Sequence, residues 1–255
     1  TLMSPIQQYL ASSKKIVDTV AAQETQLQAA AQWFAKTILA GRMVHVFGSG
    51  HSRIMVEEMW PRYGSFPGFN PIVELSLTFH NLVVGANGQR QAMFLENVSG
   101  LAERILRNFD ITPQDSALII SSSGTNIVPV EMAELFQQKK VNVVSIITQQ
   151  HSEKSESKRP DGKKLDNFSD LILDTGAPVG DSMIHITGLD TPVAPGSTVG
   201  GAIIINCLKA EVARLLTEAG SPPIVLTASS VVGKTRATQL FESAYDDHAH
   251  RLAKL

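Results

Sequence analysis

Residues 118–126 read LIISSSGTN: an apolar run that stops abruptly in three serines, a glycine, a threonine and an asparagine. The apolar part suits a buried strand, and the remainder is a loop of small hydrogen-bond donors. Such a loop is either an ordinary turn or a cradle for an anion. Which of the two it is depends on its surroundings.

Around this stretch, strands alternate with helices. RMVHVFGSG (42–50) runs from a strand into a glycine turn, and HSRIMVEEMWPRYG (51–64) reads as a helix stopped near Pro61 and Gly64. NPIVELS (70–76) is a short extended piece, and residues 89–109 have the period of one helix with Met93, Phe94, Val98, Leu101 and Ile105 on one face. A strand at 115–120 comes next. The helix after it starts near Ile127, because Pro129 is tolerated only in a first turn. VNVVSIIT (141–148) and LILDT (171–175) are strands, and residues 198–220 form a helix ending at Gly220. Strands separated by helices of ten to twenty residues imply parallel βαβ units. VHVF, ALII and VNVVSII are apolar on both faces, which suits a sheet covered by helices on both sides. The expected fold is α/β, a doubly wound parallel sheet in three layers. Residues 4–40, with apolar positions at helical spacing, form one or two amphipathic helices ending at Gly41. The division expected is an N-terminal helical part, 1–40, used for packing or dimerisation, a core domain at 41–220, and a C-terminal extension at 221–255 belonging to the same domain.

Composition narrows the function. The chain has 255 residues, 43% hydrophobic and 18% charged, with a formal net charge of −2. No broad positive field is available for nucleic acid or a membrane surface. The N-terminal stretch lacks a charged-then-apolar signal pattern, and the apolar runs are too short to span a bilayer. The single cysteine, Cys207, lies in GAIIINCLKA and reads as core; with no internal disulfide available, a reducing cytoplasm is expected.

Two strand ends are rich in Gly and Ser: FGSGHS (47–52) and SSSGTN (121–126). Each precedes a helix, whose free N–H groups and positive pole favour an anion. Hydroxyls add donors without bulk. Ligands of parallel α/β sheets bind at such carboxyl ends. Two loops of this kind make anion binding a better reading than plain turns. ASSVVGKT (228–235) ends like a nucleotide-binding P-loop, but Ala228 stands at the usual first glycine and too little chain remains after it, so a surface turn is expected. GSGHS is not a dinucleotide fingerprint, since Arg53 stands where the third glycine belongs.

GSGHS after the first strand and SSSGTN after a middle one resemble the sugar isomerase (SIS) domain, a five-stranded parallel sheet that binds phosphorylated sugars. Similarity to a bacterial family of stand-alone SIS proteins extends over GHSRIMVEEMWPRYG, SSSGTNIVPVEMA, DGKKLDNFSDLILDTGAPVGD and PGSTVGGAIIINCL, most of residues 44–210. The resemblance implies that Ser121, Ser123 and Asn126 hold the phosphate, with Ser122, Gly124 and Thr125 offering backbone donors. Gly48, Ser49, Gly50 and Ser52 would lie beside the sugar. It implies no cofactor and no metal. More distantly the chain resembles phosphoheptose isomerases and N-acetylmuramic acid 6-phosphate etherases. Both keep a catalytic Glu where this chain has Arg62. The isomerases also keep a His near Asn206.

Isomerising a phosphosugar requires a base and an acid. The candidates are Glu58, one turn and a half after Ser52; Glu96, four residues before Gly100; and His51, inside the glycine turn. Asp181 and His185, in the long stretch 175–197, are further candidates that could close over the site. His248 and His250 suggest a metal at first glance, but i, i+2 spacing separates them around a solvated helix. The charged stretch 149–164 reads as a solvated loop rather than a lid. The resemblance further implies a homodimer or tetramer, in which His80 or His185 of a neighbouring chain is a candidate base. Two functions are open: a phosphosugar isomerase, or less readily a lyase or etherase; and a non-catalytic phosphosugar sensor.

Overall fold

The computed structural model describes residues 3–78 and 88–255. Helices α1 (Pro5–Ala21) and α2 (Glu24–Leu39) lead into β1 (Val44–Gly48), a single 3-10 turn at Gly50–Ser52, and α3 (Arg53–Met59). Then come β2 (Phe69–Ile72), α4 (Gly88–Leu95), α5 (Leu101–Leu106), β3 (Ser116–Ile120), α6 (Ile127–Gln138), β4 (Asn142–Ile147), α7 (Gln149–Lys154) and β5 (Leu171–Asp174). The small strands β6 (Ser182–Ile184) and β7 (Val193–Pro195) precede α8 (Ser197–Glu218), α9 (Ser229–Val232) and α10 (Lys234–Leu252).

The main sheet has five parallel strands in the order β2-β1-β3-β4-β5. Side chains alternate across a strand, and the two faces feed two cores. Val44, Val46, Leu118, Ile120, Val144 and Ile146 face Phe34 of α2 and Ile204, Ile205 and Leu208 of α8. Phe47, Ala117, Ile119 and Val143 face Ile105 of α5 and Val130, Ala133 and Phe136 of α6. That is the three-layer arrangement expected from strands apolar on both faces. The first core also takes Val20 of α1 and Leu226 and Ala244 of the C-terminal stretch. One core therefore joins residues of the three segments distinguished in the sequence. Among the described residues no helix is long and apolar enough to cross a membrane.

Several local expectations need correction. The single helix over 89–109 is two. Gly100 takes φ +88°, and Glu131 of α6 accepts the Gly100 N–H at 2.9 Å and the Ser99 hydroxyl, holding the chain open between α4 and α5. The charged stretch 149–164 begins with helix α7 and is otherwise heavily cross-linked. The stretch 175–197 carries the antiparallel β6–β7 pair, tied to α1 by Tyr9 Oη donating to the Pro195 carbonyl at 2.7 Å. Cys207 is exposed, because it lies on the outer face of α8 between the inward-facing Ile204 and Leu208. His248 is not solvated along its length: its ring packs 5.2 Å from that of Trp60.

The amino ends of the strands are closed by a buried polar network. Arg42 donates to both oxygens of Asp115, at 2.6 and 3.0 Å. Asn70 donates to His45 Nδ1 at 3.0 Å, so Nε2 carries the proton facing Asp115 at 2.9 Å. Burial alone would raise the Asp115 carboxyl, but the hydrogen bonds from His45 and Arg42 hold it below its ordinary range. A carboxylate held low stabilises the fold above its unfolded pKa of about 3.9 and loses that contribution as pH falls through its folded value. Asp115→Asn is therefore expected to cost about 3 kcal/mol at pH 7, since it leaves Arg42 buried without its counter-charge. Urea unfolding of the variant and wild type across pH 2–7 should show that gap narrowing at the acid end.

Candidate functional site

At the opposite end of the sheet, β1 and β3 lie side by side where the strand order reverses. This is the position at which open α/β sheets leave a crevice. After β1 the chain folds back so tightly that a Cβ at Gly48 would meet the backbone of Ser52 at 2.7 Å. After β3, the Ser121 N–H extends the ladder to the Ile146 carbonyl at 3.0 Å, and the chain then turns at Gly124 with φ +65°. The two Gly/Ser loops thus face one cavity of about 230 Å³. Its lining combines Ser49, His51, Ser52 and Met55 with Ser121, Ser122, Ser123 and Asn126, and adds Glu96, His151, Asp181, Ser197 and Thr198. Larger hollows, of about 580, 570 and 300 Å³, lie on other faces and lack this convergence of small hydroxyl donors.

The loop 121–126 is wired in a way that leaves donors available. Ser121 Oγ accepts the Gly124 N–H at 3.2 Å, and Ser123 Oγ accepts the Thr125 N–H at 3.3 Å and the Thr125 hydroxyl at 3.0 Å. A hydroxyl that accepts inside the loop still has its own proton to donate outward. Among the described residues, the backbone N–H groups of Ser122, Ser123 and Asn126 make no hydrogen bond. Ser122 Oγ, by contrast, belongs to a hydroxyl chain through Thr148 to Thr175, at 3.0 and 2.7 Å. The first N–H groups of α6 are already taken: Asn97 accepts from Ile127 at 3.3 Å and the Glu96 carbonyl from Val128 at 2.9 Å. Anion contact must therefore come from the loop itself. Those same two bonds clamp the end of α4 against the start of α6 and set Glu96 beside the loop.

Glu96 is 5% exposed. Its carboxylate accepts from the Ser49 hydroxyl at 2.6 Å, joining α4 to the first Gly/Ser loop. Burial pushes its pKa up, opposed by the Ser49 hydrogen bond and by the positive charge of Lys158. Glu58 sits elsewhere, at the rim of the larger aromatic-lined hollow with Arg62, Tyr63, Phe241 and Tyr245. Arg62 donates to it at 2.5 Å and Asn206 at 2.8 Å. Burial would raise Glu58, and those two partners hold it below its ordinary value. Arg62 and Asn206, the two positions at which the resemblance implied a Glu and a His, thus meet on one carboxylate.

His51 lines the cavity. Asp181 lines it too, but its carboxylate is engaged: it accepts from the N–H groups of Gly196 and Ser197, at 3.0 and 2.7 Å, and from the Ser197 hydroxyl at 2.7 Å. It caps α8 from across the loop and holds Ser197 and Thr198 at the cavity. His185 lies just after β6, is exposed, and does not line the cavity. His80 lies outside the described residues. The P-loop-like stretch forms exposed α9 and the start of α10, with no strand before it. Among the described residues no group of three His, Cys, Asp or Glu is placed to hold a metal ion.

Sequence reasoning missed His151 and Lys158. His151 lies in α7, directly after β4, at the same end of the sheet. Its Nδ1 accepts the Gly180 N–H at 3.0 Å, which places the proton of the neutral ring on Nε2. The rule that singled out the ends of β1 and β3 applies equally to β4 and would have found it. Lys158 donates to Asn126 Oδ1 at 2.5 Å, a contact across 32 residues that no local pattern signals.

Residues 8–148 match the model of the SIS domain. The chain belongs to this family. It is 34% identical over 214 residues to a UPF0309 protein of Halalkalibacterium halodurans, a match covering 83% of this chain and 86% of that one. To a UPF0309 protein of Listeria monocytogenes it is 30% identical over 213 residues, 84% of each chain. Among solved structures it is similar to a phosphoheptose isomerase from Francisella tularensis, with a TM-score of 0.50 and 17% identity over 81% of this chain and 95% of that one. That likeness concerns the SIS fold alone.

A carboxyl raised by burial has a checkable cost. Its folded pKa exceeds the unfolded value of about 4.3, so its contribution to stability is fully present below that pH and lost as pH rises through the folded pKa. Glu96→Gln is expected to raise the Tm relative to wild type at pH 8 and to change it little at pH 4. Thermal unfolding followed by circular dichroism at both pH values checks this; an equal shift at both would contradict a charged-state penalty at Glu96.

Proposed function

We propose that this SIS protein binds a phosphorylated sugar or amino sugar, with the phosphate in the loop 121–126, and interconverts its aldose and ketose forms. The observation that carries the reading is the buried Glu96 carboxylate, held by Ser49 between two loops of outward-facing donors. In this reading the hydroxyls of Ser121 and Ser123 and the N–H groups of Ser122, Ser123 and Asn126 hold the phosphate. Ser49, Ser52 and the glycine turn around Gly48 and Gly50 meet the sugar. Glu96 takes the proton from the carbon next to the carbonyl and returns it to the neighbouring carbon. His51 or His151 moves the accompanying proton between the two oxygens. A carboxyl whose pKa burial raises suits a base that must also give its proton back. Family membership supports the ligand class, and the cavity chemistry supports the reaction.

A second reading is a phosphosugar sensor without turnover. One observation favours it: Arg62 and Asn206, where the resemblance implies a catalytic Glu and a His, are both committed to Glu58. A lyase or etherase reading has no comparable support. We also propose self-association through α1, which leaves Ile6, Leu10 and Val17 exposed at 73%, 57% and 47%; a monomer by light scattering at micromolar concentration would rule it out.

Purified protein assayed against hexose and hexosamine phosphates separates the readings. The isomerase reading expects turnover of at least one, lowered about 10²–10⁴-fold by Glu96→Gln with binding retained. Binding without turnover across the panel supports the sensor. Ser121→Ala combined with Ser123→Ala should weaken binding by about two to four orders of magnitude, because each lost bond to a charged ligand costs about 1.5–3 kcal/mol. Unchanged affinity by calorimetry would overturn the phosphate assignment.

A further inference from the structure

We propose that Lys158, carried on the strap 155–164, is the counter-charge for the ligand's phosphate and makes the site selective for phosphate esters over neutral sugars; this rests on the phosphate lying in the loop 121–126. The described residues that line the cavity supply hydroxyls, N–H groups and two carboxylates, Glu96 and Asp181, but no lysine or arginine. A dianion brought beside two acids requires a positive charge close by. Lys158 is placed to provide it.

The strap is not a floppy solvated loop. Arg159 is locked on both sides, donating to Glu134 of α6 at 2.6 Å and to the two oxygens of Asp161 at 3.0 and 2.7 Å. Its guanidinium also lies 5.1 Å over the ring of Phe168. Ser157 donates to the Lys163 carbonyl at 2.6 Å and accepts the Arg159 N–H at 3.1 Å. Both neighbours of Lys158 are therefore fixed, and its backbone with them.

The lysine side chain reaches back to the rim of the cavity and ends on Asn126 Oδ1 at 2.5 Å. Asn126 is the residue before α6, where an asparagine oxygen ordinarily accepts an N–H of the first helical turn. Here it makes no such cap, because those N–H groups are already satisfied, and its oxygen turns to Lys158 instead. An ammonium has three donors. Among the described residues only one is used, so two remain for an anion seated on the N–H groups of Ser122, Ser123 and Asn126. The positive charge of Lys158 also acts on Glu96, beside the same loop. Because the strap is fixed before any ligand arrives, little ordering has to accompany binding.

Inorganic phosphate is the probe, titrated by calorimetry into wild type, Lys158→Gln, Lys158→Arg, Lys154→Gln and the Ser121→Ala/Ser123→Ala double variant. Lys158→Gln is expected to weaken phosphate binding about ten- to a hundredfold, the range of a charge-assisted hydrogen bond. It should also flatten the fall of affinity with added salt. Lys158→Arg should restore most of the affinity. Lys154→Gln, which removes an exposed lysine of α7, should bind as wild type does. Lys158 is exposed, so the variants should unfold at the wild-type temperature. If Lys158→Gln binds like wild type while the serine double variant does not, the loop assignment stands and the role of Lys158 is overturned. If wild type and the serine double variant bind alike, or neither binds, the phosphate reading falls and the lysine proposal with it.

Discussion

The parallel pairing of β1 with β3 is the constraint on which the site depends. Because β2 lies on one side of β1 and β3 on the other, the loops leaving β1 and β3 meet at the carboxyl end of the sheet. Nothing about either loop alone makes a binding site. Together they surround a small cavity with hydroxyls and free N–H groups, and the Ser49–Glu96 hydrogen bond spans it. The packing beneath is ordinary for the class: two apolar cores on either face of the sheet, each built from alternate residues of the same strands.

The two ends of the strands use buried charge in opposite ways. At the amino end, Asp115 is surrounded by Arg42, His45 and the Thr112 N–H, and its charged form is favoured. At the carboxyl end, Glu96 has one close hydroxyl partner and a more distant lysine, and its charged form is disfavoured. The first arrangement secures the fold. The second is a kind of environment found both in structural networks and at sites of chemistry.

Much of this was legible in the residues. The alternation of apolar strands and periodic helices specified the layers, and small hydroxyl residues at two strand ends marked the loops. The remaining features depend on contacts distant in sequence. The break at Gly100 comes from Glu131 on another helix, so the apolar period of 89–109 runs through it without warning. Glu58 and Glu96 look alike as acids near glycines. Only the fold shows that one is paired with Arg62 and hydrogen-bonded by Asn206 while the other faces the cavity. Asp181 reads as a free acid, yet it caps α8 fifteen and sixteen residues away. The strap 155–164 has no periodicity because its order comes from Arg159 bridging Glu134 and Asp161.

The most direct measurement is an amide-resolved NMR titration with a hexosamine 6-phosphate. Phosphate seated in the loop shifts the N–H resonances of Ser122, Ser123 and Asn126 first and most. Shifts centred instead on Tyr63, Phe241 and Tyr245, around the larger hollow beside Glu58, would contradict the placement of the ligand at the ends of β1 and β3.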